Sequence, residues 1–163
     1  ELFIQWSSTA KTGSKYSIND CWKILCDREN FIINNQFTDN LEINIESRGH
    51  YKFGSGCLKI DKTDKMLKNN NPLVEIIDWG LVSKKELKLR TWKNGDRFKP
   101  LGMKGNKKIS DLLIDKKMNR FDKEKQLVLT ADDEIIWVCG QQISESVKVT
   151  SKTSDFMKLS IAF

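Results

Sequence analysis

Residues 87–115, LKLRTWKNGDRFKPLGMKGNKKISDLLID, constrain this chain more than any other stretch. Eight Lys or Arg side chains stand there among Trp92, Phe98, three glycines and Pro100. Basic groups are not buried without partners, so the segment has to lie at a surface. Leu87, Leu89 and Thr91 alternate with polar neighbours and predict a strand over 87–91. Asn94-Gly95 is a turn dipeptide, and Pro100, Gly102 and Gly105 keep residues 99–106 out of regular structure. Ile109, Leu112 and Leu113 then follow helical spacing, which predicts a helix over 109–117. Ser110 is its expected cap, Asp111 suits the first turn, and Lys116 and Lys117 suit the last.

Elsewhere the rhythm is that of strands. Residues 16–26 and 30–34 carry short apolar runs on either side of 27–29, predicting two strands and a tight connection. Residues 41–46 place Leu41, Ile43 and Ile45 on one face and Glu42, Asn44 and Glu46 on the other. Residues 51–60 predict one further strand, weakened by Gly54 and Gly56. Residues 65–72, KMLKNNNP, read as a linker, and 73–77 as a buried strand. Residues 127–129 and 135–139 flank the acidic 131–134 turn as a hairpin, with 147–150 and 157–161 as closing strands. The expected fold is therefore α+β: β-rich, mostly antiparallel, with few short helices and no internal repeat. At 163 residues the chain can bury a sizeable core. It opens at Glu1 within an apolar patch, so a piece of a longer protein is expected.

Charge distribution narrows the function. Residues 84–125 hold fifteen basic against six acidic side chains, an excess of +9, while the remainder holds thirteen against sixteen, or −3. Such concentration fits a surface that meets a polyanion. Arg offers phosphate a bidentate fork, Lys a point charge on a long stem, and glycine lets the backbone approach closely. A solvated, Lys-rich face is the plainer alternative, but it has no need of the interleaved Trp92, Phe98, Gly102 and Gly105. No base-reading pattern is evident, so contacts to the sugar–phosphate backbone are expected.

Catalysis is not supported. His50 is the single histidine, in an Arg-Gly-His-Tyr stretch expected to be an exposed turn without a nucleophile. Gly102–Lys108 lacks the spacing and hydroxyl of a phosphate loop. Cys21, Cys26, Cys57 and Cys139 show no CxxC spacing, so no metal site is expected, and Cys139 reads as a small core residue. The free thiols fit a reducing cytoplasm, and no membrane span or signal peptide is legible.

The run Arg90-x-Trp92-x-x-Gly95-Asp96-Arg97-Phe98-x-Pro100-Leu101-Gly102-Met103-x-Gly105-x-Lys107-Lys108-x-Ser110-Asp111 closely resembles the C-terminal domain of tRNA(Ile)-lysidine synthetases. A second block, Ile135-Ile136-Trp137-Val138-x-Gly140 through Ile143 to Lys148-Val149-Thr150, keeps that family's order and spacing. Together they cover residues 87–163, and 13–34 and 77–78 resemble the preceding region more loosely. The resemblance implies the fold shared with a domain of the phenylalanyl-tRNA synthetase β-subunit. It also implies a bacterial ligase that adenylates the wobble cytidine of a minor tRNA(Ile) and lets lysine displace AMP. ATP with Mg, and lysine, would then belong to an N-terminal domain with an SGGxDS loop, absent here. No catalytic residue, metal or cofactor is expected in this fragment. Residues 1–82 would be a β-rich linking or substrate-binding region of the parent synthetase and 83–163 the tRNA-binding domain. By the same resemblance Arg90, Arg97, Lys104, Lys107 and Lys108 would meet the tRNA backbone. Gly95, Pro100, Gly102 and Gly105 would shape the loop, with Trp92, Phe98 and Trp137 supporting it. Gln142 departs from the family's usual Arg, while Lys116, Lys117 and Arg120 are added on charge alone. Expected partners are tRNA(Ile) and the protein's own N-terminal catalytic domain, in the cytoplasm, with a homodimer left open. The alternative is a module that only braces its own catalytic domain or a protein partner.

Overall fold

The computed structural model describes residues 2–35, 40–64 and 70–163. Its contacts divide the chain into two compact units, Glu1–Asp39 with Leu113–Lys125, and Asn40–Leu112 with Gln126–Phe163. This is a division by packing, distinct from a division of roles near residue 82. Residues 65–69 of the expected linker lie outside the described residues.

The first unit is built on a three-stranded antiparallel sheet. Helix α1 (Leu2–Thr9) precedes β1 (Lys15–Ser17), β2 (Trp22–Asp27) and β3 (Asn30–Asn35), which pair in that order. The expected pair of strands is thus three. β2 and β3 turn through Arg28, at φ 52, with Asp27 opposite Asn30. Phe3 and Trp6 of α1 stack on Tyr16 and Phe31, with ring centroids 5.3–6.0 Å apart. Leu25 and Phe121 are buried. Lys15 lies 5.0 Å above the Phe121 ring and pairs with Glu124 at 2.6 Å.

The second unit holds two antiparallel sheets. Its strands are β4 (Glu42–Ile45), β5 (Gly49–Phe53), β6 (Gly56–Thr63), β7 (Val74–Asp78), β8 (Leu87–Thr91), β9 (Arg97–Phe98) and β10 (Lys107–Lys108). Along the chain come helix α2 (Ile109–Asp115), which crosses the division, and α3 (Arg120–Lys125) of the first unit, and then, back in the second unit, β11 (Leu127–Ala131), β12 (Glu134–Val138), β13 (Gln142–Ile143) and β14 (Phe156–Ala162). One sheet runs β13-β12-β11-β8-β4 and the other β5-β6-β14-β7, while β9 and β10 form a separate ladder. Leu89, Leu129, Trp137 and Ile143 from the first sheet join Leu58, Ile60, Ile77, Met157, Leu159 and Ile161 from the second in one core. β11 is buried at all five positions, because Val128 and Thr130 are covered on its other face as well. Burial also pushes the Cys139 thiol upward, leaving it a small core hydrophobe. The α+β, antiparallel, strand-rich fold agrees with the pattern of the sequence.

Several local expectations change. Residues 51–60 form a hairpin instead of one strand: Gly54 takes φ +51, and Phe53 pairs with Gly56 across a two-residue turn. A Cβ on Gly56 would stand 2.7 Å from the Ala162 carbonyl oxygen, so close approach of β14 demands glycine there. His50 consequently lies in β5, exposed, 3.7 Å from Asp61. Residues 147–150 are no strand. Ser144 Oγ accepts the Ser146 N–H at 3.2 Å and caps a single 3-10 turn over Glu145–Val147. Ser110 falls inside α2 and does not cap it. That helix stops before Lys116. Lys117 sits at φ 54, and the Lys117 and Met118 amides bond back to the Ile114 and Leu113 carbonyls, a Schellman closure without glycine. Among the described residues no helix is long and apolar enough to cross a membrane.

Candidate nucleic-acid interface

β8 delivers the chain to the basic loop. Leu89 faces the core, so Arg90 faces the opposite side of the sheet, where it is 9% exposed. Its guanidinium grips Asp96 with two bonds, at 2.8 and 3.1 Å, and donates to the Thr91 carbonyl at 3.1 Å. Asp96 Oδ2 also accepts the Lys93 N–H at 2.8 Å, which closes the turn that carries Gly95 at φ +94. Burial alone would raise the Asp96 carboxyl, but Arg90 and the Lys93 amide outweigh it and hold the carboxyl below its ordinary range. The loop then closes as a ladder, with Phe98 opposite Lys107 and Arg97 opposite Lys108. Phe98 and Ile109 are buried beneath it, and the Ile109 N–H bonds the Asp96 carbonyl at 3.0 Å.

A second brace holds the far side. The Lys99 carbonyl accepts the Glu145 N–H at 2.8 Å and Ser144 Oγ–H at 3.1 Å. Leu101 donates to the Ile143 carbonyl at 3.0 Å, and the buried Pro100 bridges to Ser144. Gly102, at φ +81, gives its N–H to Glu145 Oε2 at 2.8 Å, and Lys148 pairs with the same carboxylate. That amide first, then Lys148, holds the Glu145 carboxyl below its ordinary range. Gln142 reaches the Leu101 carbonyl at 3.4 Å and belongs to the brace.

The expected site residues separate accordingly. Arg97, Lys104 and Lys108 are exposed, and among the described residues none has a carboxylate within ion-pairing distance. Lys107 is half-buried in the ladder. Arg90 is committed to Asp96, a position that anchors the loop and leaves little to offer a ligand. Gly95, Pro100 and Gly102 set the path of the chain. Gly105 differs, since it has no left-handed φ and open space where a Cβ would stand. Trp137 is fully buried in the core and Trp92 half-buried. Lys116, Lys117 and Arg120 lie in or beside the helices of the first unit, where Arg120 is engaged by Glu124 and the Gly13 carbonyl. Ser144 and Glu145 were not legible as loop residues, because they stand more than forty positions from Lys99 and Gly102.

An antiparallel β domain that presents a cationic loop, pinned at both ends by carboxylates, is the class of module formed here. A family model described as the TilS substrate C-terminal domain matches residues 87–159, a little under half of the chain. A tRNA(Ile)-lysidine synthase of Parabacteroides distasonis is 45% identical over 67 residues, 41% of this chain and 15% of that protein. That of Clostridium tetani is 31% identical over 135 residues, 77% of this chain and 29% of its own length. That of Clostridium perfringens is 26% identical across 94% of the chain, again 29% of its length. The chain thus spans under a third of these relatives. A solved structure described as the TilS C-terminal domain superposes with a TM-score of 0.66 at 18% identity, covering 76% of this chain and 96% of that one. That likeness concerns the fold.

Proposed function

We propose that this chain is the tRNA-binding C-terminal portion of a tRNA(Ile)-lysidine synthase, a cytoplasmic ligase that joins lysine to the wobble cytidine of tRNA(Ile). On this reading ATP with Mg, and lysine, are handled by the N-terminal catalytic domain, and the present chain has no catalytic role of its own. Residues 83–163 hold the RNA and 1–82 link to the catalytic domain. The observation that carries the proposal is the opposition of Arg97 and Lys108 in the β9–β10 ladder, both exposed and, among the described residues, without a carboxylate partner. Like charges directly across a ladder repel, so the arrangement is useful only where an anion sits over it. Lys104, Lys107 and Lys99 extend the same cationic loop, and the Asp96 and Glu145 braces order it before any ligand arrives. Arg90 serves by fixing the loop.

The test is a titration of the chain with tRNA(Ile) and, separately, with an unrelated polyanion such as heparin. Lys104→Glu with Lys108→Glu is expected to cut tRNA affinity at least tenfold, since two phosphate contacts are lost and two repulsions gained, while thermal stability is kept. Equal, weak binding of tRNA and heparin, insensitive to the double variant, would favour a bracing module instead.

A further inference from the structure

The cationic loop has an apolar tip that phosphate binding does not explain. Leu101 is 42% and Met103 45% exposed, between Lys99 and Lys104. Neither is held out by chance mobility of the backbone. The Leu101 N–H bonds Ile143, the Gly102 N–H bonds Glu145, and the Met103 N–H bonds Pro100 at 3.0 Å. The main chain from 100 to 103 is thus fastened, with two large apolar side chains left in water. Two residues on, Gly105 has an ordinary backbone conformation and empty space around its α-carbon, so the fold makes no demand for glycine there. What sets these two apart from other exposed apolar side chains is that they stand on a fastened main chain inside the cationic loop, already ordered for a ligand that the loop takes.

We infer that Leu101 and Met103 cover an exposed base face of the bound RNA, at the end of a duplex or on an unpaired nucleotide. The inference rests on the RNA-binding reading and specifies which RNA the loop takes. Within a continuous duplex the base faces are stacked on one another, and the outer surface offers phosphate, ribose and base edges. Apolar RNA surface is open to a protein where stacking ends. Leu and Met are side chains that occupy such places in other nucleic-acid complexes, wedged against a base while cations hold the adjoining phosphates. The open flank of Gly105 leaves room for the strand to pass beside the tip. The alternative occupant, an apolar pocket on a protein, is disfavoured by the exposed Lys104 beside Met103, without a partner among the described residues, which would have to be desolvated there.

The experiment compares two RNAs of one stem sequence, a hairpin whose open end carries an unpaired 3′ nucleotide and a circular dumbbell, every loop being a tetraloop whose bases stack on the closing pair. The whole chain binds both through phosphates, and the open-ended RNA about tenfold tighter, the value expected for burying half of two apolar side chains. Leu101→Ser with Met103→Ser abolishes that preference and leaves the salt dependence unchanged, whereas Lys104→Glu with Lys108→Glu weakens both RNAs and flattens it. Equal affinity of the unaltered chain for the two RNAs, or a preference that survives Leu101→Ser/Met103→Ser, overturns the inference while the RNA-binding reading stands. Binding to neither RNA overturns that reading itself.

Discussion

Removing the Asp96 carboxylate tests whether the loop is held as described. Arg90 and Asp96 side chains are 10% and 15% exposed, joined by bonds of 2.8 and 3.1 Å. Deleting one partner of a fully buried pair costs about 3–5 kcal/mol, because the survivor keeps its charge without compensation. Partial solvent access reduces that, so Asp96→Ala is expected to cost about 2–3 kcal/mol in the second unit. Replacing both partners, with Arg90→Met, should recover part of the loss. Urea unfolding followed through the indole NMR signals of Trp92 and Trp137, both in that unit, measures it. The pH dependence supplies an independent sign. A carboxyl held lower in the folded state stabilises fully above its ordinary value, 3.8, and loses that contribution as the pH falls toward the depressed value. The unaltered chain should therefore lose stability below about pH 4, and Asp96→Ala should show a shallower acid limb. An Asp96→Ala variant within about 0.5 kcal/mol of the parent, with the same acid limb, would refute the anchoring role.

Three further outcomes are expected. Gly56→Ala brings a Cβ within 2.7 Å of the Ala162 carbonyl and should cost about 2 kcal/mol by thermal unfolding, since β14 has to shift. Burial raises the Glu75 carboxyl to about 7, so it opposes folding increasingly as pH climbs from about 4.5 to 7. Glu75→Gln should accordingly stabilise the chain at pH 8 by about 1 kcal/mol, after allowance for its half-exposed position, and have no effect at pH 4. Glu145→Gln removes the carboxylate charge that faces the Gly102 amide and the Lys148 ammonium, and should speed hydrogen exchange at Gly102 with the melting temperature nearly unchanged.

Alternation made much of the fold legible. Residues 41–46 and 87–91 show one apolar face each, 135–139 is a continuous apolar run, and they supply β4, β8 and most of β12 to the five-stranded sheet, with Ile45, Leu87, Leu89 and Trp137 in its core. Turn chemistry was legible where an Asn-Gly pair marks it, and less so at Gly54-Ser55, where a hairpin passed for a weakened strand. α1 and α3 carried no periodic signal of their own: the first buries no residue, and the second buries Phe121 alone. The cations of the loop could be read from composition, but their division could not. Arg90 and Arg97 look alike in sequence, and only the position of Asp96 separates the anchor from the exposed group. The Glu145–Gly102 brace joins positions 43 residues apart, beyond any local pattern.

The central claim, that a pre-ordered cationic loop receives an RNA strand, is tested most directly by the salt dependence of tRNA(Ile) binding to this chain. If Arg97, Lys99, Lys104, Lys107 and Lys108 each neutralise one phosphate, log affinity should fall with log salt at a slope of about −4. The Lys104→Glu/Lys108→Glu chain should then show a slope near −2. A slope near zero, or one that the double variant leaves unaltered, would contradict the account.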